Sequence, residues 1–436
     1  MGEVETGLRV GSYRRVVVAA SVGTFIENYD LVVYGYLATV LAGQFFPRQD
    51  PTAALLATFA IFAVGFVVRP VGGIIFGHVG DRIGRRPALA FSLFLMTVAT
   101  LAFGLLPTYR EVGVLAPVLL LVCRLLQGLS ASAEIPGANL LILEHAAREH
   151  RGRAVAVNNA AVHLGIAAAA GVALILAELL SSVQLAEWGW RVAFLAAAPI
   201  GLIGLYVRTR VLETPAFVAL AEVDKRARVP LVEAFADAKR GMLVLIVWLA
   251  AVSVGGYLLN GFLPSYLIRV AGMPAAAAFT AGLIASLVGA VSAVLGGYLV
   301  DRFSLRRVAV GVMAGLAVTA VPAFLIISWS GTLAAALIAQ CVWATFLGAS
   351  LTIGHTLSMV LFPVAFRYTA AAVGLSLATT LFGSTAPYVA TWLVATMESP
   401  IVPGVYLLLI AASALLAARL GLPRQRLAEI VAPSRT

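Results

Sequence analysis

The sequence predicts an all-α integral membrane protein of twelve transmembrane helices in two pseudo-symmetric halves of six. Three observations predict it. Of the 436 residues, 61% are hydrophobic and only 11% charged, with a mean hydropathy of +0.99, whereas soluble chains carry about 25% charged residues. A spanning helix needs about 20 apolar residues, so the length accommodates a dozen with short connections. Finally, the charged turn Gly77-His-Val-Gly-Asp-Arg-Ile-Gly-Arg-Arg86 has a weaker echo 220 residues on, where Gly297, Asp301, Arg302 and Arg306 stand in the positions of Gly77, Asp81, Arg82 and Arg86. A charged turn carried at corresponding points of two halves marks a repeat-built carrier.

The expected spans are 16–41, 55–77, 88–106, 114–141, 154–180, 191–208, 241–268, 275–300, 308–328, 332–361, 369–397 and 401–420. The first follows Arg14 and Arg15 but is too long for a leader and carries Glu27 and Asp30, so it is read as a retained helix. Pro- and charge-bearing turns such as Phe46-Pro-Arg-Gln-Asp-Pro51 separate most of the others. The longest polar interruption, 209–240, divides six helices (1–208) from six (241–436) and reads as a solvated linker on the cytoplasmic side. Abundant small residues, among them 40 glycines, suit helix packing in lipid, where close backbone approach replaces the missing hydrophobic drive.

The net charge of +10 is distributed by membrane side. On the twelve-helix reading, 24 of the 30 Lys and Arg residues fall on the face of the N-terminus, only Arg48, Arg110, Arg191 and Arg269 on the other, and Arg69 and Arg124 within spans. The positive-inside rule places both termini in the cytoplasm of a cell-membrane (inner-membrane) protein, and no nucleic-acid partner is implied. Cys123 and Cys341 lie in apolar spans and read as packing residues. No phosphate-binding Gly-x4-Gly-Lys-[Ser/Thr] loop is present, so direct ATP drive is not expected. With no catalytic cluster, no metal-ligand grouping and no cofactor motif, an enzyme is not expected either.

An ionised group at mid-membrane costs about 2.5–3.5 kcal/mol on insertion scales, so each needs a reason. Glu27 and Asp30 are three apart and share a helical face. Glu27 lies about 16 Å along the first helix, and Arg69 about 12 Å from the cytoplasmic end of the second, which lets the acidic pair meet it. Two readings stand: a buried ion pair that fixes helix register, or a carboxylate that exchanges its arginine for a proton as the carrier changes state. Burial raises a carboxyl pKa and a nearby Arg lowers it, so moving the Arg switches proton affinity. Arg124 sits about 15 Å into the fourth helix, at the depth of carrier substrate sites. Its planar fork suits a substrate carboxylate; the alternatives are coupling to Glu134 or an internal pair. His163 and His355, in the fifth and tenth helices, are either neutral imidazoles bonded to carbonyls or a proton relay with Glu134. Tyr257 and Asn260, one turn apart beside Gly261 and Pro264, read as cavity lining next to a hinge. Tyr29, Tyr34 and Tyr36 could supply hydrogen-bond donors or a cation–π cage for a quaternary ammonium.

The turn at 77–86 resembles the loop signature of the major facilitator superfamily, Gly-x3-Asp-Arg-x-Gly-Arg-Arg, and Arg124-Leu-Leu-Gln-Gly128 resembles its fourth-helix motif. Glu27-Asn-Tyr-Asp30, Gly65-Phe-Val-Val-Arg-Pro-Val-Gly-Gly73, Trp188-Gly-Trp-Arg191, Leu212-Glu-Thr-Pro-Ala-Phe217 and Phe362-Pro-Val-Ala-Phe-Arg-Tyr-Thr369 together resemble the metabolite:proton symporter family of citrate, alpha-ketoglutarate, shikimate and proline/betaine permeases. The resemblance implies import of an organic acid or a zwitterion with protons, and a cytoplasmic gate formed by Gly77, Asp81, Arg82, Gly84, Arg85 and Arg86 with Asp301 and Arg302. The second turn lacks the counterpart of Gly84, which marks a degenerate gate. The expected protein is a monomeric secondary symporter whose partners are its substrate, protons and the lipid bilayer. Efflux by antiport is an alternative, disfavoured by the absence of a Gly-Pro motif in the fifth helix. A non-transporting solute sensor is a second alternative, disfavoured by the 16 residues that follow Leu420.

Overall fold

The computed structural model describes residues 2–47, 50–73, 75–76, 85–131, 142, 151–209, 239–362 and 367–422. Gly77, Asp81, Arg82, Gly84, Glu134 and connection residues 210–238 lie outside them, and Arg85 and Arg86 open a helix. The described residues form spans in the expected order: α1 (Gly2–Tyr36, continued by Ala38–Phe45), α2 (Pro51–Gly73), α3 (Arg85–Gly104) and α4 (Leu115–Ala131). Next come α5 (Arg151–Leu179), α6 (Ser182–Tyr206), α7 (Lys239–Arg269) and α8 (Ala275–Arg302). The chain continues through α9 (Leu305–Ser330), α10 (Leu333–Leu361), α11 (Arg367–Met397, interrupted) and α12 (Val402–Gly421). Among the described residues, eight helices are by themselves long and apolar enough to cross a bilayer, and the apolar stretches of α3 and α4 are shorter. α1 is diluted by Glu27 and Asp30. Val318, Leu202, Ile203 and Leu409 are more than half exposed, a pattern that suits hydrocarbon and not water.

Local chemistry sets several ends. Asp50 caps α2 by accepting the N–H groups of Thr52 and Ala53, each at 2.9 Å, with Pro51 at the first helical position, where its missing N–H costs nothing. α6 begins earlier than the expected residue 191, because Ser181 and Gln184 form a reciprocal cap. Within it, Arg191 donates to the carbonyls of Gly104 (3.1 Å) and Leu106 (2.6 Å), closing the orphaned end of α3. The conspicuous Trp188-Gly-Trp-Arg191 motif is thereby a clasp, with the guanidinium 4.5 Å from the Trp190 ring.

α7 and α11 each contain a π-helical turn, Leu258–Phe262 and Thr379–Gly383. Each lies just before a proline: Pro264 follows Asn260 by four residues, and Pro387 follows Gly383 by four. A proline cannot donate to the carbonyl four residues back and its ring collides with it, and the wider turn absorbs that conflict.

One buried cluster joins Tyr29, Tyr34, Phe62, Phe103, Trp190 and Phe194 within α1–α6. A second joins Trp248, Phe262, Tyr266, Phe324 and Trp343 within α7–α12, and reaches across to Val32, Ile166 and Ala170. The two sets of helices meet at both ends. At one end Gly35 of α1 crosses Gly261 of α7 so closely that a Cβ on Gly35 would lie 2.8 Å from the Gly261 Cα, and Arg269 donates to the Pro51 carbonyl at 2.9 Å. At the other end α5 lies along α8, and Asp301 accepts hydrogen bonds from the Gly152 and Arg153 N–H groups at 3.0 and 3.2 Å.

Candidate functional site: a charged chamber among α1, α2, α3 and α4

The polar residues of four apolar helices converge at mid-depth. Glu27 and Asp30, one turn apart on α1, are each 1% exposed. Glu27 lies 3.7 Å from Arg69 of α2. Asp30 does not share that partner; it accepts a hydrogen bond from Thr100 of α3 at 3.1 Å. Thr100 in turn accepts from the Gln127 amide at 2.7 Å, and the Gln127 carbonyl accepts from Arg124 Nη1 at 3.0 Å. Asp30, Thr100, Gln127 and Arg124 thus form one chain from α1 through α3 to α4. Gln127 falls three residues after Arg124, on the same face, which is why one helix presents both. α2 and α4 can approach this closely because Gly128 has no side chain: a Cβ there would collide with the Gly65 carbonyl oxygen.

Between these groups lies a cavity of about 10 Å³, bordered by Asp30, Phe62, Phe66, Arg69, Arg124 and Gln127, among others. That is room for about one water molecule. Arg124 Nε and Nη2 have no hydrogen-bond partner, and neither do Asp30 Oδ1 and Arg69 Nε. The Nε–Nη2 edge of the Arg124 fork, buried in this state, is the edge that grips a carboxylate with two parallel bonds. Aromatic faces take up the rest of the space. The Arg124 guanidinium carbon lies 3.7 Å from the centre of the Tyr34 ring and that of Arg69 lies 4.1 Å from the Phe66 ring. Tyr257 of α7 closes on Phe62 and Phe66, edge to face, at 5.7 and 5.5 Å.

The tyrosines expected as a group separate. Tyr34 holds its hydroxyl on the Thr58 carbonyl at 2.7 Å and turns its face to Arg124. Tyr29 spends its hydroxyl on the Ala193 carbonyl at 2.6 Å, inside the α1–α6 packing. Tyr36 packs against Phe279 and Gly282 of α8. Asn260 is buried in the π turn, donates to the Gly256 carbonyl at 3.0 Å, and does not border the cavity. His163 lies against Gly289 of α8. His355 Nδ1 meets Asn159 Oδ1 of α5 at 2.9 Å, and Asn159 also donates to Thr352 at 3.3 Å. The histidines therefore sit where α5 faces α8 and α10. Arg302 bonds the Tyr298 hydroxyl on its own helix at 2.7 Å, whereas Asp301 reaches α5. Sequence reasoning missed Thr100, Gln127, Asn159, Phe62 and Phe66; of these only Gln127 and Phe66 stood within quoted motifs.

A buried chamber of paired charges among apolar spanning helices, bounded where two sets of helices meet, defines a membrane carrier. The chain belongs to the Major Facilitator Superfamily, which residues 20–387 match. It is a multi-pass membrane protein and a secondary transporter, not an enzyme. The proline/betaine transporter of Escherichia coli K12 is 33% identical over 419 residues, covering 92% of this chain and 82% of that protein. The glycine betaine/proline/ectoine/pipecolic acid transporter of Dickeya dadantii is 33% identical over 417 residues, covering 93% and 82%. Among solved structures, a D-xylose-proton symporter superposes with a TM-score of 0.75 at 19% identity, over 95% of this chain and 98% of that one, which establishes the shared fold.

Proposed function

We propose that the protein imports a zwitterionic solute of the proline or betaine type together with protons, by alternating access. One observation carries this reading: the buried carboxylate of Asp30, the buried arginines Arg69 and Arg124 and the aromatic residues Phe62 and Phe66 border a single cavity, with Glu27 paired to Arg69 beside it. The chemistry matches a molecule with a carboxylate at one end and a substituted ammonium at the other, and the names of the relatives point to the same class.

The Nε–Nη2 edge of Arg124 receives the substrate carboxylate. Asp30 carries the coupling proton. While ionised, Asp30 supplies the negative charge that accompanies Arg124; once protonated, it withdraws that charge, and the substrate carboxylate replaces it. Proton and substrate then favour each other's binding. Glu27 keeps Arg69 neutralised, and exchange of that partner for a proton is a second coupling step. The carrier comprises a six-helix bundle over 1–208, a cytoplasmic linker over 209–240 and a second bundle over 241–436, working as a monomer. The membrane is the bacterial inner membrane with both termini inside, supported by the basic residues gathered on that face. Asp301 and the turn at 77–86 form the cytoplasmic gate, and Tyr257 and Asn260 border the path on the α7 side.

The test is external pH, recorded as proline, glycine betaine, ectoine and a panel of dicarboxylates are added to de-energised cells overproducing the protein. Alkalinisation with a zwitterion is the expected result. Alkalinisation with dicarboxylates alone would replace the substrate class, and acidification would replace import with antiport.

A further inference from the structure

Resting on the zwitterion reading, we propose that the faces of Tyr34, Phe62 and Phe66 form the seat of the substrate's quaternary ammonium group, and that Arg124 and Arg69 occupy those faces in its place while the carrier is closed and unloaded. The guanidinium carbons stand 3.7 Å from the Tyr34 centroid and 4.1 Å from that of Phe66, and Arg124 is also 5.5 Å from Phe62. These are cation–π positions, within about 6 Å of the ring. The rings are contiguous: Tyr34 and Phe62 stack at 5.8 Å, and Phe62 and Phe66 lie at 5.3 Å. The Tyr34 ring is held by its hydroxyl on the Thr58 carbonyl, and the Phe66 backbone is tied to α11 through Thr380, which donates to its carbonyl at 3.3 Å.

A cavity of about 10 Å³ holds no trimethylammonium group. A substrate cation can reach these rings only if the guanidinium groups leave them. Each arginine has a second attachment to retain it when it moves: Arg69 has Glu27 and Arg124 has Gln127. The exchange replaces one cation with another on the same faces, so the quadrupoles of the rings are never left without a positive charge. It also swings the unpartnered edge of Arg124 off the ring towards the arriving carboxylate. One movement then reads both ends of the zwitterion, and a carboxylate without the cation cannot drive it as well.

The experiment compares two ligands of nearly identical shape on the purified full-length protein in lipid nanodiscs: glycine betaine, and tert-butylacetate, in which carbon replaces the ammonium nitrogen. Wild type is expected to bind glycine betaine about tenfold more tightly, the scale of a desolvated cation–π contact. Phe66→Leu and Phe62→Leu should abolish that preference while leaving tert-butylacetate affinity within about threefold, and Phe66→Tyr should retain it. A wild type that binds both ligands equally overturns the proposal without recourse to any variant, as do leucine variants that keep the preference. If wild type takes up zwitterions yet shows no such preference, the ammonium seat alone is refuted. If it binds dicarboxylates and no zwitterion, the substrate reading fails and the seat fails with it.

Discussion

Asp301 and Arg153 meet at 3.3 Å where the end of α8 touches the start of α5, and the same carboxylate also takes the N–H groups of Gly152 and Arg153. An anion at a helix N-terminus faces both unpaired donors and the positive end of the helix dipole, worth about 0.3–2 kcal/mol. Asp301→Ala should therefore shift the balance between closed and open forms at this end by roughly two- to thirtyfold. Initial uptake rates normalised to the amount of protein in the membrane should fall several-fold, with Asp301→Glu intermediate. Unchanged normalised rates would remove the contact from the transport cycle.

Glu27 and Arg69 form a buried pair, and removal of one member leaves the other without its counter-charge. Glu27→Gln should cost about 3–5 kcal/mol of stability, read as lower membrane abundance and a lower detergent melting temperature. Glu27→Gln combined with Arg69→Gln should regain abundance while uptake remains absent. Recovery of uptake in the double variant would confine the pair to packing.

Asp30→Asn keeps an oxygen for the Thr100 hydroxyl and deletes the titrating group. Accumulation driven by an imposed pH gradient should disappear, while exchange of labelled for unlabelled solute across proteoliposomes should persist at a measurable rate. Retention of gradient-driven accumulation would exclude Asp30 as the coupling site.

Gly35→Ala places a methyl group where the Gly261 backbone stands. The crossing of α1 and α7 must then widen. Substrate should still bind, with affinity within about threefold of wild type, but turnover should drop because closure at this end is incomplete. Full-rate uptake by the variant would show that the crossing does not close in each cycle.

His355 and Asn159 link α10 to α5 beside the α8 contact. Their hydrogen bond is worth about 1 kcal/mol, so His355→Ala should favour opening at this end by about fivefold. Thiol labelling of a cysteine introduced at Thr352 would report it as faster modification.

The spans were legible because lipid leaves the backbone few solutions, and composition alone then fixes helix and length. The pairing of Glu27 with Arg69 was legible for a related reason: depth along a helix follows from counting residues. Partition of the acidic pair was not. Asp30 turned to Thr100, and nothing in a threonine on a neighbouring helix distinguishes it from the many that bond their own carbonyls, as Thr97 and Thr58 do. Likewise Phe62 and Phe66 read as ordinary apolar residues, and only their position under two guanidinium groups gives them another meaning. The π turns were half visible, in Gly261 and Pro264; Thr379–Gly383 carried no comparable signal until Pro387 was placed behind it.

The tightness of the chamber has an electrical consequence. Moving one elementary charge through a membrane potential of 100 mV is worth about 2.3 kcal/mol, so any water-filled path past Asp30 would short-circuit the cell. The cavity beside Asp30 has room for about one water, too little to hold a file of water within it. On the proposed mechanism a proton then crosses bound to Asp30, as a passenger of the carrier.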